Sequence, residues 1–149
     1  MKQYIGTKMI HARPMKRGAY NEYRGWSVPA DENPADDGYL IRYPDGYESW
    51  SPKKVFEEAY RPTDGMSFGL AIEAAKMGEK IARAGWNGKN QYVELATKIC
   101  YTLNDKIVVC NHDAIGNKAL AFVGTSGVQM GWLASQADML AEDWYIVEV

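Results

Sequence analysis

Residues 39–50 read Tyr39-Leu-Ile-Arg-Tyr-Pro-Asp-Gly-Tyr-Glu-Ser-Trp50, and this stretch sets the fold class. Tyr39, Ile41 and Tyr43 alternate with Leu40 and Arg42, the period of a strand with two unlike faces. Pro44-Asp45-Gly46 is a turn signal and Tyr47 to Trp50 runs back, so residues 39–50 are expected to form a β-hairpin. Ser51-Pro52 follows as a helix start, a hydroxyl cap with proline at the first helical position. Val55, Phe56 and Ala59 supply the inward face of that short helix, which ends before Arg61-Pro62. A hairpin running directly into a helix implies α+β packing with antiparallel strands.

Toward the N-terminus, Tyr4 to Ile10 reads as a strand and polar turns continue to Arg24. Ala30 to Gly38, rich in Asp, Glu, Asn and Pro, reads as an exposed loop. Toward the C-terminus, residues 61–66 are the best linker. Ser67 caps a second helix with Phe68, Ala71, Ile72 and Ala75 on its apolar face and Gly78 closing it. Strands are expected at Lys80 to Ala84, Tyr92 to Leu95, Lys98 to Leu103, Lys106 to Cys110, Ala119 to Val123, Val128 to Leu133 and Trp144 to Val149. Ser135 with Asp138 matches the S-x-x-D capping signature, which starts a third helix running to about Glu142. The chain is therefore expected to be α+β, mainly antiparallel, with about three short helices. Each half also has a Gly-Trp after a basic residue, a strand ending in Trp50 or Trp132, and a Ser-capped helix. That pattern fits either a degenerate internal repeat or a coincidence among aromatics.

Composition bounds the partners. The 149 residues carry 17 basic and 19 acidic side chains, a net charge of -2, and the pI is about 5.7. A grip on a long phosphate backbone needs a basic stripe, so long nucleic acid is not an expected partner. The basic arm of residues 1–24 is followed by Asp31, Glu32, Asp36 and Asp37, which can neutralise it. Apolar runs such as Ile107 to Cys110 and Ala119 to Val123 are too short to span a bilayer, and residues 1–30 hold no apolar leader. A membrane partner and export are not expected. Five Trp, ten Tyr and three Phe suit either a β-rich core or a surface that stacks on flat ligands.

Reactive chemistry is sparse. His11, His112, Cys100 and Cys110 lack the spacing of a zinc site, and the two thiols are expected to be reduced and at least half-buried. No nucleophile elbow, HExxH or phosphate loop occurs. Gly124 to Gly127 reads as a hairpin turn. Glu57-Glu58 and Glu142-Asp143 read as solvated helix positions, although Asp143 would sit where a helix dipole disfavours it unless a contact compensates. No catalytic set, metal or cofactor is expected. The remaining constellation is Arg83, Trp86, Asn87, Gly88 and Lys89 with Trp132, Ser135, Gln136 and Asp138. Indoles, amides and cations together suit a purine–ribose–phosphate ligand, while core packing of the tryptophans is the competing explanation.

Two long segments carry a resemblance. They are Met66-Ser-Phe-Gly-Leu-Ala-Ile-Glu-Ala-Ala-Lys-Met-Gly-Glu-Lys-Ile-Ala-Arg-Ala-Gly-Trp-Asn-Gly-Lys89 and Gly131-Trp-Leu-Ala-Ser-Gln-Ala-Asp-Met-Leu-Ala-Glu-Asp-Trp144. Residues 66–149 resemble the second Thoeris anti-defence type, a phage-associated family. Residues 1–62 stand outside it as an N-terminal extension without an assigned role. The resemblance implies a phage-encoded sponge acting in the host cell cytoplasm, not an enzyme. Its ligand would be a cyclic ADP-ribose isomer, glyco-cyclic ADP-ribose above all, or another cyclic nucleotide, held intact by a homo-oligomer, a tetramer or dimer. Carried over by position, Trp86 and Asn87 would contact the ligand, Lys89 its phosphates, and Ser135, Gln136 and Asp138 the pocket wall. Trp132 and Trp144 would be core supports. The segment Ala121 to Gly127 departs from the charged Asp-Gly turn of many relatives, and Asn111 to Lys118 precedes it as an insertion. Those loops leave the particular nucleotide open. A nucleotide-degrading enzyme and a phage protein–protein interaction module are the two other classes compatible with the residues.

Overall fold

The computed structural model describes residues 1–109 and 117–148. The chain forms two compact units, Met1–Arg61 and Pro62–Val149. The expectations placed on Cys110, His112 and most of the Asn111 to Lys118 loop lie outside the described residues.

The N-terminal unit has the order β1 (His11–Pro14), α1 (Arg17–Arg24), β2 (Gly38–Arg42), β3 (Glu48–Pro52) and α2 (Lys53–Ala59). Its sheet is antiparallel in the order β1-β2-β3. The expected hairpin is present, with Leu40 opposite Trp50 and Arg42 opposite Glu48. Leu40, Ile41 and Tyr20 make the core of this unit. Gly38 cannot be replaced freely, because a Cβ there would fall inside the Trp50 indole and against the Ser51 carbonyl. The Trp50 ring is anchored by its Nε1–H, which donates to the Met15 carbonyl at 2.7 Å.

Four expectations for this unit are corrected. Tyr4 and Ile5 are exposed and outside any strand; the edge strand starts at His11, because β2 offers a short ladder and residues 11–14 fill it. The polar stretch before Arg24 is a helix and not a run of turns, and it is one of four helices among the described residues. It lacks a side-chain cap on Lys16 and buries only Tyr20 and Asn21, so its apolar period is nearly invisible. The signal that marks it is Gly25, left-handed at φ 73°, with N–H groups of Gly25 and Trp26 returning to Glu22 and Asn21. That pairing is the Schellman stop, which favours glycine. Finally, Ser51 belongs to β3 and does not cap α2. Of Val55, Phe56 and Ala59 only Phe56 turns inward, stacked between Tyr39 and Tyr60.

The C-terminal unit runs α3 (Phe68–Lys76), β4 (Ile81–Arg83), β5 (Tyr92–Thr97), β6 (Cys100–Leu103), β7 (Lys106–Val109), β8 (Lys118–Gly124), β9 (Gly127–Met130), α4 (Gln136–Leu140) and β10 (Trp144–Ile146). A five-stranded sheet has the order β10-β4-β5-β8-β9, and β6-β7 is a separate two-stranded ribbon; every pairing is antiparallel. Ser67 caps α3 as expected, accepting from the Leu70 N–H. Ala71, Ala74 and Ala75 form its buried face, small enough to bring the helix close to a sheet whose buried side chains include Ile81, Ala82, Val93, Ala121 and Trp144. Phe68 and Ile72 are half-buried. Asn104 and Asp105, both at positive φ, make the two-residue turn of the ribbon, the geometry favoured by strand twist. Cys100 pairs with Val109 and is exposed, which corrects its expected burial. All four side chains of β6 are exposed. None of the helices among the described residues is long and apolar enough to cross a membrane.

Candidate functional site

The sequence brought Arg83, Trp86, Asn87 and Lys89 together with Ser135, Gln136 and Asp138 by chemistry alone. The fold joins them through β4 and the N-terminus of α4. Arg83 ends β4 directly opposite Trp144 of β10, and Trp86 follows after the turn at Ala84-Gly85. Ser135 and Asp138 form a full capping box: the Ser135 hydroxyl accepts from the Asp138 N–H, and Asp138 accepts from the Ser135 N–H.

Asp138 is the hub. Its Oδ1 accepts from Arg83 Nη1 at 2.8 Å and from Trp86 Nε1 at 3.0 Å, while Oδ2 accepts from Ser135 N–H at 3.1 Å. Its carbonyl accepts from Trp144 Nε1 at 2.9 Å. Burial pushes the carboxyl up, but the bonds from Trp86, Arg83 and Ser135 outweigh that and hold it at about 2. Charge-assisted bonds of this kind are the strong ones. Arg83 also donates from Nε to Asp143 Oδ1 at 2.9 Å, and Asp143 Oδ2 takes the Gly85 N–H at 2.8 Å. The Arg83 bond, opposed by desolvation and helped by Gly85, keeps Asp143 below the usual carboxylate range. Both carboxylates in turn raise Arg83.

Asp143 is thus no solvated helix end, and sequence reasoning missed its role. The compensating contact that a carboxylate near a helix C-terminus requires is Arg83, and the helix has already ended at Leu140. Phe122 was also missed. Its ring centroid lies 5.6 Å from that of Trp86 and 6.3 Å from that of Trp132. Trp86 further packs edge-on to Trp132 at 5.9 Å and Trp144 at 5.3 Å. Trp144 is fully buried, and Phe68 lies against it from α3.

The seven candidates therefore divide. Arg83, Trp86, Ser135 and Asp138 are mutually bonded. Asn87, Lys89 and Gln136 are exposed beside them in sequence, on the turn after Trp86 and at the first position of α4. Arg83 is spent on two carboxylates, so Lys89 is the candidate cation without a carboxylate partner among the described residues. No candidate lines the cleft of about 270 Å³ bounded by Ile72, Ala75, Lys76, Leu95 and Lys118 to Leu120. Among the described residues no group of three or more His, Cys, Asp or Glu could hold a metal.

With this geometry in place, the comparisons with known proteins are specific. Residues 66–147 match the profile of the Thoeris anti-defense 2-like domain. A protein of Bacillus phage SP01, Thoeris anti-defense 2, is 38% identical over 89 residues, which covers 55% of this chain and 94% of that protein. The match takes in β10, β4, α3 and α4, and with them every residue of the Asp138 network. The chain belongs to the Thoeris anti-defense 2-like family.

Proposed function

We propose that this protein is a phage anti-defence sponge that binds a cyclic signalling nucleotide in the host cytoplasm and holds it without cleaving it. The family membership supports the anti-defence role, and the cyclic ADP-ribose type, glyco-cyclic ADP-ribose first, is the ligand class we assign. The observation that carries sequestration over cleavage is the state of the carboxylates. Asp138 and Asp143 are both held ionised and bonded to Arg83, whereas a general acid needs a raised pKa and a free proton. Trp86 is fixed by Asp138 and three rings, so the exposed Asn87 and Lys89 project from a rigid base, which limits the ordering entropy lost on binding.

A homo-oligomer, dimer or tetramer, fits the surface of this unit. β9 is an edge strand of the sheet, and Val128, Met130 and Leu133 are all exposed on and after it. An apolar unpaired edge is a template for pairing with a second chain.

The test is capture followed by heat release. Incubation with each cyclic ADP-ribose isomer, and with cyclic di- and trinucleotides, should give a thermal shift for at least one ligand. Heat denaturation should then return that ligand chemically unchanged. Recovery of a linear product would establish the enzyme class instead, and no shift with any nucleotide would favour the protein–protein module. Lys89→Ala should weaken capture about tenfold or more through the lost charge-assisted bond, with Tm unchanged.

A further inference from the structure

Asn87-Gly88 is the one Asn-Gly pair in the chain, and it lies on the exposed turn that follows Trp86. The turn is held at its base. Trp86 Nε1–H donates to Asp138 at 3.0 Å, and the Trp86 backbone N–H donates to the Arg83 carbonyl at 3.2 Å. Beyond that anchor the bonding stops. Among the described residues the Gly88 N–H meets no acceptor, and the Asn87 amide makes no hydrogen bond. Backbone N–H groups are seldom left so unless they face water, and both residues are exposed. The space a Cβ would take at Gly88 is filled by the Gln91 amide, so the turn uses the residue with no side chain.

Those features are what an intramolecular reaction of asparagine needs. The backbone nitrogen of the next residue can reach the side-chain amide carbon by closing a five-membered ring. That nitrogen must be free of a hydrogen bond to lose its proton, and a side chain on its own residue hinders the approach. Holding both groups in one turn supplies the proximity. No other asparagine among the described residues meets these conditions together. Asn21 and Asn117 are buried. Asn33 precedes Pro34, whose nitrogen carries no hydrogen. Asn90 and Asn104 precede Gln91 and Asp105, which bear side chains. Of the Asp-Gly pairs, Gly46 and Gly65 commit their N–H groups to the Tyr43 and Pro62 carbonyls, and Gly38 is buried.

We propose that Asn87-Gly88 modifies itself by deamidation, and that the change switches off the ligand face of this turn. The Gly88 nitrogen loses its proton and attacks Asn87 Cγ. The new N–C bond closes a succinimide as the Cγ–Nδ2 bond breaks, and Nδ2 leaves with the proton as ammonia. Water then adds to either imide carbonyl and opens the ring. The product is aspartate or, with the backbone rerouted through Cβ, isoaspartate. An amide thus becomes a carboxylate two residues from Lys89, the candidate cation without a carboxylate partner among the described residues. The new charge repels an anionic ligand and competes for Lys89. This consequence for capture rests on the sponge reading; the ring closure does not.

Folded full-length protein should be held at neutral and mildly alkaline pH, then digested and mapped by mass spectrometry beside a synthetic peptide of residues 83–93. The fragment carrying Asn87 should gain the mass of an amide-to-acid exchange at least tenfold faster than any other asparagine. Its rate should rise with pH and lie within a few-fold of the peptide's, with isoaspartate exceeding aspartate. Asn87→Gln, whose ring closure would need one more atom, should stay intact. Capture of glyco-cyclic ADP-ribose and the other cyclic nucleotides of the heat-release panel should fall in proportion to the converted fraction, with Tm unchanged. Asn87→Asp should show the same loss. More than tenfold protection of Asn87 in the folded protein relative to the peptide, or faster change at another asparagine, would overturn the modification. Full capture by the converted protein or by Asn87→Asp would overturn the switch. If unmodified protein captures none of the panel, the sponge reading fails, and the peptide map still decides the chemistry.

Discussion

A single carboxylate decides how far the candidate site is held in shape. Asp138 is ionised down to about 2 in the folded chain, below its ordinary value, so its contribution is present above pH 4 and disappears as pH falls through 2. That difference is worth about 2 kcal/mol. The stability of Asp138→Asn should therefore lie below that of the parent at neutral pH and converge with it near pH 2, measured by denaturant unfolding across pH. Trp86 behaves as a structural residue as well as a site residue. Its ring is shared among Phe122, Trp132 and Trp144, so Trp86→Ala should lower stability by about 2 kcal/mol or more. Trp132 and Trp144 were the expected core supports, and the ring cluster makes Trp86 a support as well. Lys89 is the cleaner probe of capture. The ambiguity was inherent, since an indole that stacks on a ligand and one that packs on a phenylalanine leave the same letter in the sequence.

At the scale of elements, the signals that were legible are those made by adjacent residues. The Pro44-Asp45-Gly46 turn, the Ser67 cap and the Ser135/Asp138 capping box each act within four residues, and each is present in the fold. Helix α1 was not legible, because its ordering comes from elsewhere in the chain. Its first turn is met by the backbone of the 34–36 segment, with the Arg17 and Gly18 N–H groups donating to Asp36 and Pro34. A Cβ on Gly18 would come within 2.6 Å of Pro34, so the glycine that weakens the helix pattern is what admits the loop. The Arg83–Asp143 pair was equally hidden, being 60 residues apart. Two element-level outcomes follow. Ser135→Ala should cost about 1 kcal/mol through the lost cap, seen as a lower Tm. Gly38→Ala should cost about 1–3 kcal/mol by overpacking against Trp50, with a change in tryptophan emission as the check.

For the whole molecule, the SP01 relative consists almost entirely of the stretch matched here, and the contact boundary falls at Arg61 and Pro62. A fragment of residues 62–149 should fold cooperatively and keep nucleotide capture, as judged by thermal unfolding and the heat-release assay. The two ends of that unit are themselves paired. Met66 and Trp144 exchange backbone hydrogen bonds, and the Ile146 N–H donates to the Thr63 carbonyl at 2.9 Å. A chain whose first and last segments are neighbours can be cut and rejoined without moving its core. Residues 62–149 should accept circular permutation, with a short glycine linker joining the old ends and new ones opened between Asn104 and Asp105. The same closure makes this unit a cassette: other sequence can be spliced to either side of it without changing how its strands are threaded.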